Sequence, residues 1–335
     1  MNGVKFPFPL LLCDIGGTNA RFASVSAPGA PLKIGLHLKT KDYRDFETAL
    51  ASALAGVQAK PRSLIVCAAG PVSGRSIKLT NAAWTIDGPK VAASAGLEQG
   101  LLLNDFEAQA FSLPVLQPAW ILPIGTGYEK RPGVELIMGL GTGLGAAALV
   151  ELENRHFVLS SEAGHMNFGP LGAQDAPLWR HLETIAEGAV VAETILSGAG
   201  LMRLHKARCA AAGKVPAESD EIALVETAHL HKDSEEAQTL RLCWTLAARF
   251  AGDLALAFLA KGGVTFSGGI LPKIVDFLEP ETFRSVFENK PPYAELMRGI
   301  GTRLVTTDDA VLAGMAAIAA APQNYAIDYS ERAWR

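Results

Sequence analysis

Apolar residues occur along this chain in short runs that end abruptly at glycines or polar residues. The runs Leu10–Cys13, Leu64–Ala68 and Leu101–Leu103 are apolar at every position, which is typical of strands buried on both faces of a parallel sheet. Between the first two runs, residues 42–54 carry apolar side chains at every third or fourth position, the period of an amphipathic helix. Strands that alternate with helices predict an α/β fold.

The second half of the chain shows the same alternation. Glu135–Met138 and Val264–Phe266 are predicted to be strands, and helices are predicted over 239–261 and 308–320. Residues 176–196 are also predicted to form one helix that ends at Ser197-Gly198, because glycine commonly stops helices.

Two of the apolar runs lead into a glycine-rich turn that a further apolar run follows. The first turn contains Asp14-Ile15-Gly16-Gly17-Thr18-Asn19, the second is Gly139–Gly145, and Thr18 and Thr142 hold matching places. Glycines let backbone N–H groups approach an anion closely, and Asp14 stands where a carboxylate could hold a hydrated Mg²⁺ beside that anion. The alternative is a plain hairpin turn, which requires neither the preceding acid nor the following Thr-Asn. The repeat of one strand–turn–strand unit predicts a duplicated domain.

The second turn also matches the dinucleotide-binding fingerprint, as Gly141-x-Gly143-x-x-Ala146. That fingerprint requires a helix after the glycines. Here two apolar runs follow, separated by the polar residues 153–155, which is the pattern of a β-hairpin. We therefore reject NAD binding.

The run of leucines at 101–103 stops at Asn104-Asp105. In open α/β sheets, ligands bind just beyond the carboxyl ends of the strands, and a carboxylate at the end of a buried strand is costly unless it has a partner or a role. Asp105 is therefore the candidate catalytic residue. The alternative is that Asn104-Asp105 only caps the following helix.

Two more turns carry candidate ligand groups. Glu162 and His165 come directly after the predicted hairpin and could converge on a ligand rich in hydroxyls, although a polar loop is the simpler interpretation. Ser267-Gly268-Gly269 interrupts the strand before Pro272, and glycines there allow either a tight turn or close approach of a flat or anionic ligand.

Composition and charge exclude several classes of protein. Of the 335 residues, 49% are hydrophobic and 19% charged, and the formal net charge is −4, which predicts a globular chain without a nucleic-acid surface. No apolar run is long enough to span a bilayer, and the first residues do not have the pattern of a signal peptide. The four cysteines lie far apart, without a Cys-x-x-Cys pair, so we expect buried thiols in a reducing cytoplasm.

Taken together, the motifs resemble those of the bacterial glucokinase family, within the actin–hexokinase–Hsp70 superfamily. The resemblance covers about residues 10–320. The matching motifs, in chain order, are Asp14–Arg21, Gly70-Pro71, Thr80-Asn81 with Trp84, Asn104–Phe106, Gly141–Gly145, Glu162 with Gly164-His165, and Leu196–Gly198.

The resemblance implies a fold and an activity. The expected fold has two related actin-like (ribonuclease-H-like) domains with a cleft between them, a small one over 1–115 plus about 307–335 and a large one over about 116–306. The expected reaction is transfer of the γ-phosphoryl group of ATP, with Mg²⁺, to the 6-hydroxyl of D-glucose. The resemblance also allows a homodimer, with no membrane or nucleic-acid partner.

The resemblance also implies a role for single residues. Asp105 matches the general base, Asp14 is expected to reach the metal through water, and Asn104, Asp105, Glu162, His165 and Glu193 match the sugar ligands. The ATP-binding residues that it implies are Cys13, Asp14, Ile15, Gly16, Gly17, Thr18, Gly141, Thr142, Gly143, Gly268 and Gly269.

The chain departs from the family pattern at one of these places. Where the family often has Gly-Glu-Gly-Gly-His, this chain has Ser161-Glu162-Ala163-Gly164-His165. Because Ala lacks the backbone freedom of Gly, Ala163 is expected to affect the shape of the loop. Two alternative activities stay open, a kinase for another hexose such as mannose or an N-acetylated hexosamine, and a sugar-binding regulator without turnover.

Overall fold

The protein is a mixed α/β structure with several sheets. The computed structural model describes residues 4–80, 82–125, 128–217 and 220–335, so Asn81 of the Thr80-Asn81 motif lies outside the described residues. The strands are β1 Leu10–Ile15, β2 Asn19–Val25, β3 Lys33–Lys39, β4 Ser63–Ala68, β5 Val72–Ser73, β6 Ser76–Lys78, β7 Thr85–Asp87, β8 Gln99–Asn104, β9 Ile121–Pro123, β10 Glu135–Leu140, β11 Leu144–Leu152, β12 Arg155–Ser161, β13 Gly263–Ser267, β14 Thr302–Val305 and β15 Ala333–Trp334.

The helices lie between these strands, as the alternating pattern predicted. Several short 3₁₀ turns accompany them, among them Ala163–His165 and Leu271–Phe277. The α-helices are α1 Phe46–Ala55, α2 Gly88–Ala95, α3 Asp105–Ser112, α4 Ala176–Ala186, α5 Ala192–Ile195, α6 Gly198–Ala211, α7 Glu221–Leu230, α8 Glu235–Ala257, α9 Pro280–Glu288, α10 Ala294–Arg298, α11 Asp309–Ala320 and α12 Tyr329–Arg332.

The two large sheets share one strand order. The first sheet runs β15-β8-β4-β1-β2-β3, with β1, β4 and β8 parallel and β2, β3 and β15 antiparallel to their neighbours. The second runs β9-β14-β13-β10-β11-β12, with β10, β13 and β14 parallel and β9 antiparallel to β14. Each sheet thus has a sequential three-stranded meander, then two parallel strands, then a short antiparallel edge strand. The predicted repeat is present in this strand order.

The structure divides into two compact units. The first comprises 1–120, 149–159 and 307–335, and the second comprises 121–148 and 160–306. The domain division expected from the resemblance stays a prediction. Among the described residues, no helix is both long enough and apolar enough to cross a lipid bilayer.

The buried strands account for the core of the first unit. Leu64, Ile65 and Val66 have no exposed surface, as their uninterrupted apolar run predicted. On α11, Gly314 lies so close to α3 that an added Cβ would come within 2.8 Å of the Cα of Ser112. The small residues of α11 therefore permit close helix packing.

The predicted helix over 176–196 is wrong. α4 ends at Ala186, and Glu187 and Gly188 have φ values of 54° and 159°, which are incompatible with a continuing right-handed helix. Ser197, predicted to end the helix, instead begins α6, where its side chain accepts a hydrogen bond from the Gly200 N–H at 3.1 Å. Serine is a favoured N-cap, so this signal was interpreted at the wrong end of a helix.

Two other predicted helices differ at their starts. α1 begins at Phe46 instead of residue 42, because the side chain of Asp45 caps it by accepting from the Thr48 N–H at 2.9 Å. α8 begins at Glu235 instead of 239, capped by Ser234. In α8 the first turn is polar, so its apolar stripe begins only after the helix has started.

Candidate functional site

The first part of the candidate site lies at the carboxyl ends of the parallel strands β1, β4 and β8. The register pairs Asp14 of β1 with Cys67 of β4, and Ala68 of β4 with Asn104 of β8. Asp105 follows directly as the first residue of α3. The sequence therefore brings Asp14 and Asp105 to one edge of this sheet.

Asn104 caps α3 with its side chain. Its Oδ1 accepts from the N–H groups of Phe106 at 3.0 Å and Glu107 at 3.3 Å, and its Nδ2 donates to the Gly70 carbonyl at 3.1 Å. The capping alternative is thus correct for Asn104. Because the carboxamide has a second N–H, its predicted contact with a sugar hydroxyl remains compatible with this cap.

Asp105 is half-buried at the start of α3. Burial raises the pKa of its carboxyl to about 6, the backbone N–H of Phe106 opposes this, and the negative charge of Asp14 adds to it. A carboxylate with a pKa near neutrality is suited to accept a proton from a hydroxyl and to release it again. Such perturbed groups cluster at functional sites.

Asp14 is held by two neighbours that we did not assign a role from the sequence. Arg21, opposite it on β2, donates to Asp14 Oδ2 at 2.5 Å and also to the Asp308 carbonyl at 2.9 Å. The thiol of Cys67 lies 3.2 Å from Asp14 Oδ1, and burial first, then Asp14, raises the pKa of Cys67, so the thiol is the donor. Arg21 belongs to the Asp14–Arg21 motif, but only the register of a β1–β2 hairpin would have indicated that it pairs with Asp14.

The turn after β1 keeps its glycines accessible. Gly16 donates from its N–H to the Asn19 carbonyl at 2.9 Å, which closes the turn, and Thr40 N–H bonds to the Thr18 carbonyl at 2.9 Å. Gly16 and Thr18 are exposed, whereas Cys13 is fully buried. Exposed backbone at such a turn is available to a phosphate, whereas Cys13 can contribute only through its place in the strand.

The second part of the candidate site lies in the other unit and is centred on Leu144. Its N–H donates to Glu193 Oε2 at 2.8 Å, and its carbonyl oxygen would lie 2.1 Å from a Cβ on Gly164. A Cβ on Gly143 would come within 2.4 Å of Glu193 Oε2. The Gly141–Gly143 turn, Glu193 and the Glu162–His165 turn are therefore in contact through backbone that only glycine permits.

The Glu162–His165 segment forms a short 3₁₀ turn over Ala163–His165, with Glu162 and His165 both exposed. Ala163 is buried, and its φ is not among the positive values of the described residues. The alanine that departs from the family pattern is therefore accommodated without strain. The glycine on which this turn depends is Gly164.

The remaining glycine turn lies beside the second one. Gly268 has a φ of 91°, and a Cβ there would lie 2.2 Å from the Leu140 carbonyl oxygen. The Gly141 carbonyl accepts from the Gly198 N–H at 2.9 Å. The structure thus groups Gly141, Gly268 and the start of α6, with Thr142 and Gly269 exposed nearby in sequence.

Within the described parts of the chain, no group of three or more His, Cys, Asp or Glu side chains is placed to hold a metal ion. Both oxygens of Asp14 already accept hydrogen bonds. Each oxygen keeps a further acceptor site, and the expectation that Asp14 reaches a metal through water stays a prediction.

Comparison with known proteins gives one consistent family. The family model described as Glucokinase matches residues 11–322. The chain is 40% identical over 333 residues to a glucokinase of Sinorhizobium medicae, covering 99% of this chain and 98% of that protein. It is 39% identical over 330 residues to a glucokinase of Agrobacterium fabrum, covering 98% and 96%.

Solved structures agree in fold. A glucokinase from an Antarctic psychrotroph is 32% identical, with a TM-score of 0.80 over 93% of this chain and 98% of the other. A Balamuthia mandrillaris glucokinase in complex with glucose has a TM-score of 0.76 at 20% identity, with 93% of both chains covered. A ROK family glucokinase from Streptomyces griseus, in complex with glucose and AMPPNP, has a TM-score of 0.61 at 21% identity over 92% of this chain and 97% of the other.

Proposed function

The chain belongs to the glucokinase family, and we propose that Asp105 is the general base when it transfers the γ-phosphoryl group of ATP to D-glucose. Membership over nearly the whole length makes ATP-dependent phosphorylation of glucose the activity of this chain. What is proposed is how its own residues carry out that reaction.

The proposal rests on the position of Asp105 and on the raised pKa of its carboxyl. Asp105 is the half-buried first residue of α3 and directly follows the C-terminal end of β8. Burial raises the pKa of its side-chain carboxyl to about 6. At neutral pH the group is ionised, yet close enough to its pKa to exchange a proton with the 6-hydroxyl of the sugar. In the reaction it would take that proton as the oxygen bonds to the γ-phosphorus and the bond to ADP breaks.

The phosphate groups are assigned to the glycine turns. Gly16, Thr18 and Thr142 are exposed, and Gly17, Gly141 and Gly143 are partly exposed beside them. Phosphoryl transfer depends mainly on positioning and charge stabilisation, which backbone N–H groups and threonine hydroxyls can supply. Asp14 would hold Mg²⁺ through water, and the cation would offset the charge that develops on the transferred phosphoryl group. Arg21 holds the Asp14 carboxylate in place for this role.

The sugar hydroxyls are assigned to Asn104 and Asp105 in one unit and to Glu162, His165 and Glu193 in the other. We infer that glucose binds in a cleft to which both units contribute. A site built to hydrogen-bond hydroxyls rejects analogues that leave its polar groups unpaired. ADP release measured across a panel of hexoses separates glucose from mannose or an N-acetylated hexosamine.

Asp105→Asn tests the proposed base. Asn keeps the size and an acceptor oxygen but cannot accept a proton at neutral pH. We expect the variant to fold and to bind glucose, with kcat reduced ~10²–10⁴-fold, the usual cost of removing a general base. Glucose-induced thermal stabilisation and kcat from a coupled assay, on one preparation, measure both properties.

Asp87→Asn is the matched control. Asp87 also stands at the start of a helix in the same unit, where its side chain caps α2 by accepting from the Lys90 N–H at 3.2 Å. It should lower stability slightly and leave kcat unchanged. A near-normal kcat for Asp105→Asn would show that Asp105 only forms the start of α3, and it would overturn the proposed mechanism.

A further inference from the structure

We propose that Arg332, next to the last strand of the chain, positions Asp105 by tying the first turn of α3 to β8. The inference rests on the proposed role of Asp105 as general base. It gives the C-terminal segment, α12 with β15, a part in placing the general base, and Arg332 acts there as a positioning residue through Glu107.

The central contact is a bidentate ion pair between Arg332 and Glu107. Arg332 Nη1 donates to Glu107 Oε1 at 2.8 Å, and Arg332 Nη2 donates to Glu107 Oε2 at 2.5 Å. The two side chains are only 18% and 12% exposed, so the pair is largely shielded from water. Bidentate Arg–carboxylate pairs of this kind fix geometry as well as adding energy.

The same guanidinium bonds to the catalytic strand. Arg332 Nη2 also donates to the Leu102 carbonyl at 3.0 Å, two residues before the end of β8. One planar group therefore contacts β8 on one side and the first turn of α3 on the other, and Asp105 lies between these two contacts in the chain.

The Glu107 carboxylate passes this restraint on to the residue before Asp105. Its Oε2 accepts from the Asn104 N–H at 3.3 Å, while Asn104 Oδ1 accepts from the Glu107 N–H at 3.3 Å, the reciprocal pattern of a capping box. A capping box alone leaves the glutamate side chain with rotamer freedom. The two hydrogen bonds from Arg332 fix the Glu107 side chain in one rotamer. The backbone at residues 104–105 can then no longer move together with that side chain.

The position of Arg332 is itself set by the strand that follows it. β15 pairs antiparallel with β8, with Ala333 opposite Leu101 and Trp334 opposite Gly100. Trp334 is 1% exposed and fills the space that a side chain at Gly100 or Gly88 would need, since an added Cβ would lie 2.1 Å and 2.5 Å from its ring. The absence of side chains at the two glycines thus leaves room for the Trp334 ring, and its packing there fixes β15 against β8.

Arg332→Lys is the informative variant. Lysine keeps the positive charge, but its single ammonium cannot bridge both Glu107 oxygens and the Leu102 carbonyl. Because misplacement of a reacting group by about 1 Å can cost ~10²-fold in rate, we expect kcat to fall by at least about tenfold, with the KM for ATP unchanged. The acid limb of the kcat–pH profile should also move to lower pH, because a loosened first turn exposes Asp105 to water.

Arg62→Lys is the matched control. Arg62 also makes a bidentate pair, from Nε and Nη2 to the two carboxylate oxygens of Glu98, at 2.5 and 2.8 Å. Glu98 lies just before the opposite end of β8, and both side chains are about half exposed. This variant should leave kcat and its pH profile unchanged. Arg332→Ala, should it fold, is expected to recover part of its kcat when guanidinium ion is added, whereas Arg62→Ala should show no such response.

The outcomes separate the two proposals. If Asp105→Asn is inactive while Arg332→Lys keeps a wild-type kcat and an unmoved acid limb, the positioning role is overturned and the general base stands, even if Arg332→Lys lowers the melting temperature. If Asp105→Asn turns over normally, the general base fails and the positioning role fails with it. A reduced kcat with a shifted acid limb in Arg332→Lys alone, and not in Arg62→Lys, supports it.

Discussion

At the scale of single residues, the protonation of Asp105 determines when the proposed mechanism can operate. Its carboxyl must be ionised to accept a proton, and its pKa is raised to about 6. We therefore expect kcat/KM for glucose to fall as the pH drops through about 6, with an acid limb of unit slope. An unperturbed aspartate would place that limb near pH 4. Initial rates of ADP formation between pH 4.5 and 8, with coupling enzymes in excess at each pH, decide between these values.

The same raised pKa has a consequence for stability. The folded protein keeps the Asp105 proton up to about pH 6, whereas the unfolded chain releases it near pH 4. Between these values the folded state binds more protons, so the contribution of Asp105 to the free energy of unfolding decreases as the pH rises. The largest decrease is about 3 kcal/mol, from roughly two pKa units at 1.36 kcal/mol each.

Asp105→Asn lacks this ionisation, so its free energy of unfolding should exceed that of the wild type at pH 7 by more than it does at pH 4. Urea unfolding at the two pH values measures the difference. If the free energies of unfolding of the variant and the wild type differ by the same amount at both pH values, ionisation of Asp105 in the folded protein carries no desolvation cost.

The sequence made Asn104 and Asp105 candidates because a buried apolar run that stops at an acid is a local signal. The pKa of Asp105 could not be predicted, since it depends on burial and on Asp14, which is distant in sequence. Arg332 contacts Glu107 across more than two hundred residues, and no local pattern indicates such a partner. Glu107 itself had a signal, because Asn104-x-x-Glu107 is the spacing of a capping box.

At the scale of elements, the strands that coincide with continuous apolar runs were predicted well, whereas β3, the short sheet β5–β7 and several helix boundaries were not. A fully buried strand such as β4 is specified by its own apolar run, whereas helix ends depend on caps that serine and aspartate provide in more than one context. Residues 176–196 contain no proline beyond the first turn and keep an apolar period. Gly188 was a stop signal of the same kind as Gly198, but the sequence analysis did not use it, and the break at Glu187-Gly188 was recognised only from the backbone conformation.

Among the turns, Gly164 is the position where a single methyl group should matter most. A Cβ there would lie 2.1 Å from the Leu144 carbonyl oxygen, so Gly164→Ala must push the Glu162–His165 turn outward. Overpacking of this kind costs about 1–3 kcal/mol. We expect a lower melting temperature together with a raised KM for glucose, measured by thermal unfolding and by a coupled assay.

Gly169→Ala controls for the substitution itself. Gly169 follows the same turn, but nothing lies within 4 Å of an added Cβ, so both quantities should stay near the wild-type values. A Gly164→Ala variant that is less stable but has an unchanged KM for glucose would argue that Glu162 and His165 do not contact the sugar.

At the scale of the whole molecule, the duplication is visible in the order of the strands. The repeated strand–turn–strand pattern predicted two related sheets, and both have the same meander followed by parallel strands. The short edge strands β9 and β15 were not predicted. At three and two residues they are too short to show a period, and their pairing depends on partners remote in sequence.

The chain passes between the two compact units at several points, after residues 120, 148, 159 and 306. The proposed sugar ligands are divided between these units, with Asp105 in one and Glu162 in the other. If one glucose molecule bonds to ligands in both units, its binding favours conformations in which both sets of ligands reach it at once. We therefore expect glucose to reduce the radius of gyration, which small-angle X-ray scattering measures with and without saturating sugar.

Glu162→Ala provides the control for this last prediction. It removes a proposed sugar ligand from one unit only, at an exposed position. The fold should therefore be kept, while glucose loses a hydrogen-bond partner in that unit. At a glucose concentration that still produces a thermal shift in the variant, the radius of gyration should change less than in the wild type.

Closure would also exclude water from the ATP phosphates and limit hydrolysis, so the variant should hydrolyse more ATP per glucose phosphorylated. An unchanged radius of gyration in the wild type, under conditions where glucose stabilises it thermally, would contradict a ligand-induced closure and leave the sugar bound without movement of the units.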